Sequence, residues 1–387
     1  MTYLARITSL ILFLGTFSLS AQVFTPFYDG IVTNVSVSNI EDDLISFVDF
    51  GVKEPGTAAI DNAKDWIISR YQSLGYTDIV EQPFTVSGQI TENIIVTKTG
   101  SVYPDTFLII DGHYDTINGV GANDNGSGTV LLLELARLLK DVNTEYSIKF
   151  IHFSGEEEGL VGSEFYVANT VIPENLDIKL VFNIDEVGGV NGMTNNTIVC
   201  ERDETSPNSN NTASAQATTV LANCFGLYSN LLTEISNAYG SDYVPFENNG
   251  EIITGLYEKN ESPYPHTPQD IIANMDIDYV AEVTKGALGA ALHFAVGIEP
   301  LSVSDVALEE ALLVYPNPTN GILHIEVKNG LSENTEVTFF DTLGNKVYDT
   351  SFTAETKTID LKFLAKGIYL ARFKHNGQIL TKKVVLK

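Results

Sequence analysis

The chain has 387 residues, with 50 Asp and Glu against 22 Lys and Arg, a formal charge of −28. That balance excludes nucleic-acid binding by phosphate neutralisation and a polybasic membrane anchor, both of which need a basic face. Hydrophobic residues make up 44% and aromatic ones 10%, enough for cores in two or three domains and too many for a chain disordered by composition.

The charge is unevenly placed. Residues 301–387 hold 10 acids and 10 bases, so the whole excess belongs to the first 300 residues. Such a break marks a domain boundary, and Ile298 to Asp305, with its Pro and two Ser, reads as the linker. At the other end, residues 1–21 carry one base, Arg6, then the apolar run Ile7 to Phe17 and the small residues Ser18, Ser20 and Ala21. A run shorter than a bilayer span that ends in small residues reads as an export signal. No later stretch is apolar for a full span, so a mature chain without a transmembrane segment is expected. Cys200 and Cys224 are the only cysteines; export permits one disulfide between them, and two buried thiols fit equally well.

Between signal and linker, strand and helix patterns alternate. Ala59, Ala63, Trp66, Ile67, Tyr71 and Leu74 recur at helical spacing, with Gly75 as a stop. The apolar runs Phe107 to Ile110, Ile148 to Phe153 and Ile178 to Ile184 read as strands, separated by helical patterns over Thr129 to Leu139 and Leu160 to Val171. Further helices are predicted over Ala213 to Ala238 and Ile277 to Val296. This alternation implies an α/β fold with a mostly parallel central sheet covered on both faces.

Each strand-like run ends in a chemical cluster: Asp111-Gly112-His113-Tyr114-Asp115, then Ser154-Gly155-Glu156-Glu157-Glu158-Gly159, then Asp185-Glu186. Sites in open parallel sheets form beyond the carboxyl ends of the strands, so these clusters are expected to converge. Carboxylates and imidazoles meeting in one crevice repel unless cations neutralise them, and a dinuclear zinc centre meets that need with nitrogen and oxygen ligands. Of the six His, His324 and His375 lie in the neutral tail, His293 sits in a helical pattern and His152 alternates within a strand. His113 and His266 remain as candidate ligands. The chain has no HExxH helix, no GxSxG elbow, and no third glycine after Gly119-Val120-Gly121 to make a dinucleotide fingerprint.

The segments Gly112 to Thr116 (GHYDT), Gly121 to Gly128 (GANDNGSG), Gly155 to Ser163 (GEEEGLVGS), Asn183 to Asp185 (NID) and His266 to Asp270 (HTPQD) together resemble the dizinc aminopeptidases of the bacterial leucyl aminopeptidase type, in clan MH. The resemblance covers roughly residues 30 to 300. It implies a three-layer α/β/α sandwich of the phosphorylase/hydrolase-like kind with two zinc ions. Asp124 would bridge both metals, His113 and Asp185 would complete one, and Glu157 and His266 the other. Asp115 would accept the second imidazole N–H of His113, and the Asp124–Asn125 peptide is expected to be cis. The family's Glu-Glu-any-Gly-Leu pattern places the general base at Glu156. A slip of one residue would make Glu157 the base and Glu158 the ligand, against which Gly159 and Leu160 argue.

The implied reaction is removal of N-terminal residues from peptides or proteins by a metal-bridging water that Glu156 activates. Ser241 to Phe246 and Tyr264 would line an apolar pocket for the first side chain, or simply pack in the core. Two rivals share the fold: a glutaminyl cyclase working with one zinc, and a non-catalytic binding protein.

Beyond the linker, Leu323 to Val327, Val337 to Phe340 and Ile368 to Phe373 alternate between turns, the pattern of a small all-β sandwich. Val314 to Gly321 (VYPNPTNG), Gly367 to Phe373 (GIYLARF) and the closing KKVVLK resemble the C-terminal sorting domain of type IX secretion. That resemblance implies outer-membrane secretion machinery as a partner and a protein exported through the periplasm to the cell surface or medium. The expected organisation is a signal over 1–21, a catalytic domain over 22–300, a linker over 301–312 and a sorting domain over 313–387, in a monomer.

Overall fold

The computed structural model describes residues 22–238, 240–300, 312–327, 335–342, 345–353, 356–375 and 378–387. The expected signal, and residues 301–311 of the expected linker, lie outside the described residues. The chain divides into two compact units, at Glu299/Pro300.

The first unit is built on an eight-stranded mixed sheet. Its strands are β1 (Ile79–Val86), β2 (Gln89–Lys98), β3 (Tyr103–His113), β5 (Tyr146–Phe153), β6 (Asp177–Ile184), β7 (Thr197–Arg202), β8 (Leu232–Asn237) and β9 (Ile253–Glu258), in the spatial order β1-β2-β5-β3-β6-β9-β7-β8. The middle of the sheet, β5-β3-β6-β9, is wholly parallel. Short strands β4 (Asn143–Thr144) and β10 (Gly297–Ile298) pair apart from it. Ile298, expected in the linker, therefore belongs to this unit.

Central strands buried on both faces need apolar side chains at every position. Leu108, Ile109 and Ile110 on β3 are fully buried, with Leu108 and Ile110 in one core and Ile109 in another. The first core lies beneath α3 (Ala58–Leu74), α4 (Gly126–Leu139), α7 (Asn211–Tyr228) and α9 (Ile277–Ala295), with α1 (Pro26–Val32) and α2 (Val37–Asp49) at its margin. The second lies beneath α5 (Val161–Tyr166), which runs through a π turn into α6 (Ile172–Glu174), and α8 (Val244–Asn249). The result is the expected three-layer α/β/α sandwich.

Local signals explain the helix ends. In α3 the Thr57 side chain accepts from the Ile60 N–H, Ile60, Ala63, Ile67 and Tyr71 form the buried stripe, and Gly75 closes the helix at φ +87°. The helix predicted over 213–238 instead stops at Tyr228, and Leu232–Asn237 forms edge strand β8 beside β7. Every residue of β8 is exposed, so no buried face marks it in the sequence.

The second unit is an antiparallel sandwich. One sheet contains β11 (Leu312–Tyr315), β12 (Ile322–Val327) and β15 (Thr356–Asp360); the other orders β14 (Lys346–Phe352), β13 (Thr335–Phe340), β16 (Gly367–His375) and β17 (Gln378–Leu386). Leu323, Ile325 and Ile359 from one sheet meet Val337, Phe339, Ala371 and Phe373 from the other in a single core. Leu312, expected to end the linker, starts the first strand.

Candidate metal centre and active site

Sheet register brings the clusters together. His113 ends β3 opposite Phe153, the last residue of β5, and Asp111 pairs with Asn183 on β6. Ser154 to Glu157 and Asp185 therefore emerge at the same level as His113, on either side of it. Asp124 comes from the loop before α4, where the Asp124–Asn125 peptide is cis and Asn125 caps the helix by accepting the Gly128 N–H. A side chain on Gly128 would run into Asn125 Oδ1 and Ile184 O, so only glycine lets this helix start so close to β6.

The two oxygens of Asp124 face two separate groups. Oδ1 lies 3.3 Å from His113 Nε2, which is also 3.3 Å from Asp185 Oδ1. Oδ2 lies 3.1 Å from His266 Nε2, which is 2.7 Å from Glu157 Oε2. Glu156 Oε2 stands 3.9 Å from His113 Nε2. All five expected ligands and the expected base thus converge, while Glu158 is exposed to solvent. Suitable donor atoms of His113, Asp124 and Glu157 lie within 4.8 Å of one another.

The electrostatics of this cluster call for cations. Burial pushes the Glu157 carboxyl up to about 10, with the Asp124 charge adding to it. Burial likewise lifts Glu156 to about 8, helped by Asp185 and Asp115 against the opposing pull of His113. On His113 burial disfavours charge, yet Asp185 and Glu156 outweigh it and hold the imidazole well above its ordinary value. Buried Glu157 Oε1 and Asp185 Oδ1 accept no hydrogen bond. Carboxylates that repel one another, buried oxygens without donors and two imidazoles fit divalent ions with nitrogen and oxygen preferences, zinc foremost.

The surroundings orient these groups. His113 Nδ1 is 3.2 Å from the main-chain oxygen of Asp115; an oxygen of that kind only accepts, so Nδ1 carries the hydrogen and Nε2 is left free for a metal. The Asp115 carboxylate, expected beside this ring nitrogen, is 3.6 Å from Nδ1, where it favours the charged imidazole, and it also accepts the N–H groups of Glu156 and Glu157.

Sequence reasoning missed several supports. Ser241 Oγ donates to Asp185 Oδ2 at 2.7 Å. The Asp270 carboxylate accepts the N–H of Asn123 at 2.8 Å and of Asp124 at 3.0 Å, clamping the loop of the central ligand. Asp270 sits in a recognised motif, which was its one signal. Lys53 is wholly buried and donates to the carbonyls of Gly51 and Val120 at 2.8 Å, joining α2 to the loop that leads to Asp124. Nothing local in the sequence marks it. Among residues with non-glycine positive φ, Leu160 (63°), Glu186 (45°) and His266 (56°) all border the site, where a strained backbone is held by its surroundings.

A cavity of about 350 Å³ opens onto Asp124, Glu156, Glu157, Asp185 and His266; Leu160, Glu186, Glu201, Ser241, Tyr243 and Tyr257 also line it. Of the stretch Ser241 to Phe246, Ser241 and Tyr243 face this cavity, whereas Phe246 packs in the core beneath α8, and Tyr264 is not among the lining residues.

Residues 93–291, more than half of the chain, match the model of peptidase family M28. The chain belongs to that family. Residues 313–387 match the secretion system C-terminal sorting domain. Among similar proteins, aminopeptidase YwaD of Bacillus subtilis is 34% identical over 202 residues, which are 49% of this chain and 41% of that one. The chain thus spans about two fifths of the length of this curated relative. The solved structure of BSAP, a zinc aminopeptidase from Bacillus subtilis, superposes with a TM-score of 0.58 at 19% identity, covering 67% of this chain and 95% of that one. A glutaminyl cyclase from Bacteroides thetaiotaomicron shares the fold, with a TM-score of 0.56 at 18% identity over 66% of this chain and 97% of that one. Among the described residues of this M28 protein no helix is long and apolar enough to cross a membrane.

Proposed function

We propose that this M28 protein is a secreted, zinc-dependent aminopeptidase. The observation that carries the reading is the division of ligands around Asp124: His113 and Asp185 at one carboxylate oxygen, His266 and Glu157 at the other. One zinc ion would be held by the first set and a second by the other, with Asp124 shared between them. Bound there, the two ions would supply Lewis acidity to a peptide carbonyl and to water.

The chain's own residues do the rest. Glu156 borders both the ligands and the cavity, so its carboxylate takes the proton of the attacking water and returns it to the departing amine. Asp115 fixes that carboxylate's backbone, Ser241 holds Asp185 and Asp270 holds the Asp124 loop. An acidic cavity is complementary to the positive α-amine of a peptide N-terminus, which favours removal of one residue at a time. Two complete ligand sets favour hydrolysis over a cyclase that works with one zinc. The tail, by its likeness to sorting domains, acts as an address read by the type IX secretion machinery after passage through the periplasm.

Aminoacyl anilides and N-blocked peptides, assayed with and without chelator, test the activity alongside metal analysis. Unblocked substrates alone should be cleaved, chelation should abolish turnover, and metal should approach two zinc per chain. Glu156→Gln should keep the metal and lose at least about a thousandfold in kcat. Full activity in that variant, or cleavage of blocked peptides at equal rates, would overturn the reading.

A further inference from the structure

The cavity holds one carboxylate that the centre does not use. Glu201, on β7, is 3% exposed and lines the cavity. It stands in register with Gly255 of β9, which stands in register with Asn183 of β6. A Cβ on Gly255 would come within 2.8 Å of Glu201 Oε2 and 3.2 Å of the Tyr243 ring, so the bare glycine leaves room for both to lie across β9 towards the strand that leads into Asp185. Burial, reinforced by the Asp185 charge and opposed by a hydrogen bond from the Tyr243 hydroxyl, lifts the Glu201 carboxyl to about 8. Among the described residues no Lys or Arg pairs with it: its neighbour Arg202 is engaged by Glu204, and Lys259 by Glu234. Leu160, Tyr243 and Tyr257 supply the neighbouring cavity wall. A deep carboxylate without a cation, reached past aliphatic and aromatic surface, complements a side chain with an apolar stem and a positive head.

We propose that the cavity selects N-terminal lysine or arginine, whose cationic head is held by Glu201 while its stem packs against Leu160, Tyr243 and Tyr257. This selectivity rests on the aminopeptidase activity proposed above. The α-amine finds its acids among the groups around Asp185 and Glu186, nearer the centre, which leaves Glu201 for the side chain. A leucine or norleucine in the same place would leave the carboxyl with only the Tyr243 hydroxyl as partner and lose the charged contact.

The test uses the zinc-loaded full chain and the p-nitroanilides of Lys, Arg, Leu and norleucine, the last matching lysine in length without its charge. The Lys and Arg substrates should exceed norleucine in kcat/KM by about tenfold or more. Glu201→Gln should reduce the Lys to norleucine ratio by at least about tenfold, mainly through KM. Norleucine or leucine cleaved as well as lysine by the wild type would overturn the proposal, as would an unchanged ratio in a folded Glu201→Gln. Calorimetric titration of the wild type with L-arginine and L-norleucine supplies a readout independent of turnover, and of whether the variant folds. Tighter arginine binding is expected, and equal affinities would refute the cationic pocket. Absence of turnover on every anilide, with arginine still preferred in calorimetry, would instead sink the aminopeptidase reading alone.

Discussion

The two units solve the problem of a stable interior in opposite ways. The tail buries Leu323, Ile325, Val337, Phe339 and Phe373, and its buried polar residues among those described are two threonines, Thr319 and Thr335. The first unit buries Lys53, Asp111, His113, Asp115, Asp124, His152, Asp242 and Glu258 inside a larger apolar framework. A β-sandwich held by hydrophobic contact has, among its described residues, no buried charge that needs a partner. A fold that gathers carboxylates at the ends of its strands retains repulsion that a ligand has to relieve, and that repulsion is concentrated where the chemistry is expected.

The contrast is broken most directly by metal. Calorimetric scans of the full chain should resolve two transitions, and zinc should raise that of the first unit alone. At free zinc a thousandfold above the dissociation constant the gain is about 4 kcal/mol. An equal shift in both transitions would show that the tail binds metal as well. The converse experiment is Phe339→Ala, which opens a void in the tail core and should cost its transition about 3 kcal/mol. Export should fall, while kcat/KM of the purified chain stays within about twofold. A parallel loss of activity would mean that the tail supports catalysis.

The smallest expected effect concerns a buried imidazole apart from the centre. Tyr71 Oη and His152 Nε2 lie 2.9 Å apart in a hydrogen bond, and burial lowers the His152 pKa to about 3. Its folded pKa is thus below the ordinary value of about 6.5, so the folded state binds fewer protons than the unfolded one in that window. The stability contributed is fully present above about pH 6.5 and is lost as pH falls towards 3, by about 1.4 kcal/mol per unit. Urea unfolding of metal-free wild type and His152→Gln between pH 5 and 7 isolates this as the difference between their slopes. Identical slopes would show that His152 is protonated in the folded state.

Much of the centre was legible because ligand chemistry restricts residue type and strand periodicity places it. Three apolar runs, each ending in His or acid, marked the clusters that contain His113, Glu156, Glu157 and Asp185, and the resemblance sorted their members into expected ligands and base. The same method failed for β8, whose exposed residues carry no periodic face, and it was silent on the main-chain donors of Glu156 and Glu157 that Asp115 accepts, which only the turn after β5 presents. Lys53 was invisible for a similar reason, and Ser241, read only as part of a pocket wall, gave no sign of its bond to Asp185, since neither stands in a chemical motif of its own.

By itself the sequence determined where the charge lies, which segments are strands or helices of the core, the alternation of the tail, and the residue types available for a metal. These follow from backbone propensity, hydrophobic period and side-chain chemistry, all of which act locally. Tertiary structure alone decided that each oxygen of Asp124 faces a different imidazole, that Asp270 clamps the Asp124 loop, and that Glu201 lies over the bare Gly255. Those relations join residues up to about 150 positions apart, and strand order and register, set by packing, bring them within contact.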